Sequence, residues 1–311
     1  MDKSEIKAYI AWFLICIVWG TTFLAIRIGV ESLPPMLFAG IRWIIAGPIL
    51  FLFLIARGVK LPPKSELKHL MLIGVMLIGL ANGFLVYAEQ WIPSGLASLL
   101  ITTMPFWIVG MESFLPSGPK FNKIFFVGLV IGFIGVATIF INDFENLFEP
   151  NYMFGILCIL ASILVWASGS VYAKHKRFES NPIMRASIQM ITAGILQLLI
   201  GFLLGEHTKF SPSTNGYLAI GYLAVFGSLL GYVSYIYAIS ILPVAFVSTY
   251  TYINPVIALF LGWYFLDEKI GLPIIIGTII IFIGVGLVQY SNRRDYKNRQ
   301  RIPSQLSSLK N

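Results

Sequence analysis

The chain has 311 residues, of which 57% are hydrophobic and 12% charged, and its mean hydropathy is +0.82. A soluble domain carries about 25% charged residues, so the composition excludes a soluble globular fold and points to a polytopic helical membrane protein. The net charge of +8 does not signal nucleic acid, because the basic residues are confined to alternate connections, as membrane topology requires.

Runs of about 20 apolar residues can each cross a hydrocarbon core about 30 Å thick. They predict ten spans, at about 8–26, 34–56, 68–88, 93–114, 122–141, 151–173, 182–204, 216–239, 243–265 and 271–290. The connections are too short to hide a soluble catalytic domain. The charged opening 1–7 resembles a signal-peptide start, but no small-residue cleavage site comes after it and further spans do, so the first helix is expected to stay uncleaved. With a cytoplasmic amino terminus, eighteen of the 22 Lys and Arg residues fall on inside segments. Arg27, Lys209 and Lys269 fall outside, and Arg42 lies within a span. The outer connection 142–150 is acidic, with Asp143, Glu145 and Glu149. This asymmetry predicts a multi-pass protein of the plasma (inner) membrane with both termini cytoplasmic. The basic tail, 291–311, lacks periodicity and is expected to be disordered and drawn to anionic lipid.

Cys16 and Cys158 sit in apolar spans and read as small buried hydrophobes. His69, His175 and His207 have no metal-ligand spacing. No metal and no cofactor is expected.

One stretch occurs twice at an offset of 150 residues. Tyr87-Ala88, Pro93, Ser98 and Met104-Pro105 match Tyr237-Ala238, Pro243, Ser248 and Asn254-Pro255. In each copy a first proline opens an apolar helix, and the second, Pro105 or Pro255, is expected to break it near its middle by removing a donor and freeing a carbonyl. Further matches occur at nearby offsets: Val18-Trp19 with Val165-Trp166, Arg27 with Lys174, and Glu31, Pro34 and Met36 with Glu179, Pro182 and Met184. Gly128 and Phe133-Ile134-Gly135-Val136 match Gly277 and Phe282-Ile283-Gly284-Val285. Five spans per half is an odd number, so the second half must enter the membrane from the opposite side. The expected fold is an all-α membrane protein of ten transmembrane helices in two inverted five-helix repeats, 8–141 and 151–290. Paired broken helices in two such halves point to a transport site.

Thr103 and Met104 beside Pro105, and Tyr252 and Asn254 beside Pro255, would expose carbonyls and polar groups at mid-membrane depth, or merely kink the chain. Trp19 and Trp166 lie past the middle of equivalent spans and, with Tyr87, either line a cavity or pack. Asn82, Gln189 and Gln197 are ligands or interhelical bonds. Charges inside spans default to functional hypotheses. Arg42 either meets a substrate carboxylate or pairs with Glu89 or Glu31. Glu89 and Glu112 are candidate carriers of a coupling proton.

Trp19-Gly20-Thr21-Thr22-Phe23, Arg42-Trp43, the repeated Tyr-Ala…Pro…Ser…Pro stretch and the Phe-Ile-Gly-Val near the end of each half together resemble the EamA-type branch of the drug/metabolite transporter superfamily, over about residues 8–290. The resemblance implies ten helices in two inverted EamA repeats, a central cavity, and alternating-access movement of small metabolites, often outward. One departure stands out. Leu266-Asp267-Glu268-Lys269 is similar to the family's acidic helix-end motif, whereas the first half has Leu115-Pro116-Ser117-Gly118, with no acid.

The expected function is secondary, gradient-driven transport of a small metabolite or amino-acid-like solute with little net charge, acting as an exporter. The absence of a Walker-type glycine loop excludes an ATP-driven pump within the chain. An enzyme is not expected, because an intramembrane lipid enzyme needs convergent catalytic groups that the spans do not supply. A channel-like or non-transporting membrane protein is the alternative. Expected partners are the small-molecule substrate and the lipid bilayer, not nucleic acid. Gly128-xxx-Gly132 and Gly227-xxx-Gly231 suit close helix packing within the chain, or a homodimer.

Overall fold

The computed structural model describes residues 3–115, 123–139, 141, 149–211 and 213–308, without the side chains of 289 and 292–308. Residues 116–118, Lys120, Asp143 and Glu145, which figure in the sequence analysis, lie outside the described residues. So do the side chains of the basic tail.

Among the described residues the fold is helical, with no strand. In chain order the apolar helices are α1 (Lys3–Val30), α2 (Pro35–Ala56), α3 (Lys64–Ala88), α4 (Ser94–Ser113), α5 (Lys123–Ile139), α6 (Pro150–His175), α7 (Pro182–Leu203), α8 (Thr214–Ile241), α9 (Val244–Leu266) and α10 (Leu272–Ser308). Eight are long and apolar enough to cross a membrane; α5 and the apolar part of α10, Leu272–Val288, are shorter. Beyond Tyr290 the backbone of α10 continues helical to Ser308.

Prolines start many of these helices. Pro35, Pro150 and Pro182 occupy the first turn, where a missing N–H costs nothing. Helices α2 and α7 both stop at a glycine in the left-handed region, Gly58 and Gly205, each at φ 73°.

A proline flanking a helix start has no side-chain acceptor for the free N–H groups beyond it, and acids from the other half of the chain supply one. Glu206 accepts from Met36 N (3.3 Å) and Leu37 N (2.9 Å) at the start of α2. Glu268 accepts from Ser94 N (2.9 Å), Ser94 Oγ (2.8 Å) and Gly95 N (3.1 Å) at the start of α4. Glu66 accepts from Glu179 N (2.7 Å) and from Ser180 Oγ just before α7. At the opposite helix poles, Arg27 donates to the carbonyl of Glu89, which ends α3, and Lys174 donates to that of Leu242 (2.9 Å), which ends α8. Cations are favoured at such carboxyl ends.

Two departures from regular α-helix set up the site. First, Val75–Asn82 in α3 and Leu223–Tyr232 in α8 are π-helical, where continuous α-helix was expected. Side chains from facing helices take up carbonyls of these widened turns. Gln197 Nε2 donates to Ile78 O (2.8 Å) and Gly79 O (3.2 Å), and Trp19 Nε1 donates to Gly227 O (3.1 Å).

Second, α4 and α9 are broken, but not at the prolines. In α4 the break is at Thr102-Thr103, and Pro105 falls in the first turn of the following piece, Met104–Ser113. In α9 the break is at Ser248-Thr249, and Pro255 lies inside the continuous piece Tyr250–Leu266. The expectation that each proline marks its break is corrected. The breaks coincide with hydroxyl side chains that tighten the turn to three-residue bonds. Leu99 O accepts from both Thr102 N and Thr102 Oγ1, Leu100 O from both Thr103 N and Oγ1, and Phe246 O from both Thr249 N and Oγ1. Doubly bonded carbonyls of this kind compete with the helical ladder.

Helices α2 and α7 pack on each other, as do α5 and α10. The second contact is backbone to backbone: a Cβ on Gly284 would stand 2.6 Å from Gly128 O, and one on Gly128 would stand 2.7 Å from Gly284 O. The glycines of the first pair singled out in the sequence therefore pack inside the chain. Helix α1 lies against α8 and α9, and α6 against α3 and α4.

Candidate functional site

These contacts leave a cavity at the centre of the molecule, between α1, α2, α3 and α4 on one side and α6, α8 and α9 on the other. Its accessible volume is ≈ 70 Å³, room for several waters at about 10–15 Å³ each. Neither α5, α7 nor α10 contributes to its wall.

One end is aromatic. Trp19 meets Trp166 and Tyr250 edge-on, at 5.4 Å and 5.0 Å between ring centroids, and Tyr235 at a tilt of 35° and 5.3 Å. Trp166 Nε1 donates to Tyr235 Oη (3.1 Å), which also bonds Ser170 Oγ (2.5 Å). Edge-to-face pairs of this kind add stability beyond area burial. Asn254 is 2% exposed, and its Nδ2 donates to Cys16 O (2.8 Å) and Ile15 O (3.4 Å), which ties α9 to α1 below the cage.

The other end is polar. Arg42, 3% exposed, donates from Nη2 to Asn82 Oδ1 (2.6 Å), and its guanidinium carbon sits 4.5 Å from the centroid of the Trp43 ring. Trp43 Nε1 donates to the same Asn82 oxygen (3.3 Å), so that oxygen is held by two donors. Tyr232 Oη donates to Gln189 Oε1 (2.8 Å) behind this wall. Gln189 and Gln197 are thus bonded between helices.

Of the residues singled out in the sequence, Trp19, Arg42, Asn82, Met104, Trp166 and Asn254 come together in the wall of this one cavity. The others do not. Thr103 spends its hydroxyl on Leu100 O (2.8 Å). Tyr87 stacks edge-on with Trp91 and Phe154, and Tyr252 lies 6.1 Å from Phe282 of α10. Glu112 is 3.5 Å from His175 Nε2. Glu89 is fully buried, and among the described residues neither of its carboxylate oxygens has a partner. Arg42 contacts neither Glu89 nor Glu31; its bonded partner is Asn82. Tyr232, Tyr250, Trp43 and Ser162 also line the cavity and were not among the expected site residues.

The family model described as the EamA-like transporter family matches residues 6–141 and 153–290. The chain belongs to the EamA-like transporter family. As a member of it, the protein is a membrane transporter, which sets it apart from enzymes at the level of family. The uncharacterized inner membrane transporter YedA of Escherichia coli (strain K12) is 38% identical over 253 residues, 81% of this chain and 80% of its own. The uncharacterized transporter YoaV of Bacillus subtilis (strain 168) is 30% identical over 285 residues, 90% of this chain and 96% of its own. A solved crystal structure aligns over 93% of this chain and 99% of its own with a TM-score of 0.68 and 21% identity, and shares the fold.

Proposed function

We propose that this EamA-family member is a gradient-driven secondary transporter that moves a small metabolite or amino-acid-like solute by alternating access through the central cavity. The observation that carries the reading is the cavity wall, built by both halves from residues in equivalent positions, Trp19 with Trp166 among them. A solute held there contacts both halves at once, so a rocking of one half against the other can expose it to either side in turn.

The finer architecture belongs to the same proposal. Ten spans form two inverted repeats, 8–141 and 151–290, both termini are cytoplasmic, and the protein resides in the inner membrane. Several features support this. The packing pairs are unchanged when the halves are exchanged, as are the two π segments, the two left-handed glycines and the Arg27 and Lys174 bonds. YedA is named an inner membrane transporter. Outward direction rests on the family resemblance.

The test is counterflow in proteoliposomes loaded with a panel of unlabelled amino acids and small carboxylates. Transient, saturable accumulation of the labelled solute is expected. Flux linear in concentration indicates a channel and overturns the carrier reading. Reporter fusions check the topology: a carboxyl-terminal green fluorescent protein should fluoresce, and an alkaline phosphatase fused there should be inactive.

A further inference from the structure

The cavity holds one ionised side chain, Arg42, and no aspartate or glutamate is among the described residues that line it. Arginine cannot shed its proton in a protein, so the positive charge is fixed. Within hydrogen-bond reach its company is neutral, and the acid that acts on it, the buried Glu89, does so from beyond 4.0 Å. Nη2 is bonded to the amide oxygen of Asn82, the guanidinium lies over Trp43, and Nε is buried with no partner among the described residues. No described carboxylate lies within 4.0 Å of it. Nη1 faces Gly227, where an added Cβ would come within ordinary contact at 3.9 Å, and both residues line the cavity.

A buried, unpaired charge is among the most costly arrangements a protein can hold, and one inside a membrane defaults to a functional reading. The neighbouring groups are arranged as donors too. Two donors already claim Asn82 Oδ1, from Arg42 and Trp43, so the Asn82 amide hydrogens are left to donate elsewhere. Across the cavity stand Trp19, Trp166, Tyr250 and Met104, a surface suited to an apolar body.

From this arrangement we infer that the cavity is an anion subsite: it takes a small organic carboxylate whose charged end pairs with Arg42 and Asn82 and whose hydrocarbon end lies against the tryptophan pair. This names the substrate class of the proposed transport site and rests on that reading. It departs from the expectation of a solute with little net charge, and of the two readings open for Arg42 it takes the substrate carboxylate over the structural ion pair. Glu89, whose buried carboxylate has no hydrogen-bond partner among the described residues and feels Arg27 and Arg42 at a distance, does not line the cavity. The alternative role for Arg42 is therefore counter-charge to Glu89 at a distance.

The experiment uses the full-length protein in detergent with three near-isosteric probes: isobutyrate, isobutyramide and isobutylamine. Quenching of tryptophan fluorescence reports binding, because Trp19, Trp43 and Trp166 all line the cavity. Isobutyrate is expected to bind at least roughly tenfold tighter than the amide, and the amine not at all. Arg42→Gln removes that preference, and Arg42→Lys, which keeps the charge but not the planar fork, keeps part of it. The double variant Arg42→Gln/Glu89→Gln removes both buried charges together and guards against a failure to fold. The subsite requires that it also lack the preference. Recovery of carboxylate preference in the double variant assigns Arg42 to Glu89 and overturns the subsite. Equal or tighter binding of amide or amine by the wild type overturns the substrate class but leaves the cavity as the transport site. Silence of all three probes in folded wild-type protein overturns both.

Discussion

Asn254 carries two jobs in one side chain: it borders the cavity and it bonds the backbone of α1 at Cys16. Removing it takes away a bond between helices, although the two carbonyls of α1 keep their own helical donors, at a cost of about 0.5–1.5 kcal/mol. Asn254→Ala should therefore melt several degrees lower and also transport less. Trp166→Phe separates the two effects. It keeps an aromatic ring beside Trp19 but removes the Nε1 donor to Tyr235 and part of the indole surface at the cavity, so counterflow should fall by more than the melting temperature does. Wild-type flux in both variants would remove these residues from the site. The matched offsets paired such residues between the two halves, and Trp19 with Trp166 and Met104 with Asn254 do meet in one cavity wall. They did not reveal which way each side chain turns. Tyr250 and Asn254 are four residues apart and share a helical face, while Tyr252 sits between them, roughly 200° away from each. Sequence alone favoured Tyr252, and the structure turns it toward α10 and brings Tyr250 to the cavity.

At the scale of the element, ten apolar segments were legible because span length and loop charge are linear signals. Where α4 and α9 break was not, because proline was given the whole effect. The hydroxyls of Thr102, Thr103 and Thr249 hold doubly bonded carbonyls at the breaks, and the two prolines stand in different settings. Pro105 is in a first turn, where its missing N–H has no intrahelical partner. Pro255 is inside a helix and leaves Thr251 O without its backbone donor. Pro105→Ala should leave the melting temperature nearly unchanged, and Pro255→Ala should raise it by restoring a helical bond. Equal shifts in the two variants, measured by differential scanning fluorimetry, would contradict this difference. The π segments carried no sequence signal that periodicity could detect, since both are apolar apart from Asn82 and Ser228.

Across the whole molecule, the halves are tied by acids that bridge from one to the other. Glu206 lies outside the spans and closes the start of α2 from the far half. Burial pushes its carboxyl above the ordinary value of 4.5, against the opposing pull of the Leu37 and Met36 N–H groups and Lys209. The folded protein thus holds this proton more tightly than the unfolded chain. Its contribution to stability is fully present below about pH 4.5 and is lost as pH rises through the raised folded-state value. Glu206→Gln keeps an acceptor for Leu37 N and cannot ionise, so its melting temperature should fall less than the wild type's between pH 4 and pH 7. Parallel curves would show that the carboxyl does not titrate in that range. The cross-half caps could not be read in the sequence, because their partners are 113 to 174 residues away.

The π segments give α3 and α8 something the other helices lack, a reserve of winding. A wide turn tightened to α lets out chain, and each residue released rotates the remainder of the helix by roughly 100° and advances it by about 1.5 Å. Beyond Tyr232 the next groups along α8 include Tyr235, whose hydroxyl joins Trp166 and Ser170. Beyond Asn82 in α3 come Tyr87 and the buried Glu89. Any rewinding in α8 therefore withdraws Tyr235 from the tryptophan pair, and any rewinding in α3 swings a carboxylate. Each half carries its own screw, and both threads end in the wall of the same chamber, at Asn82 and at Tyr232.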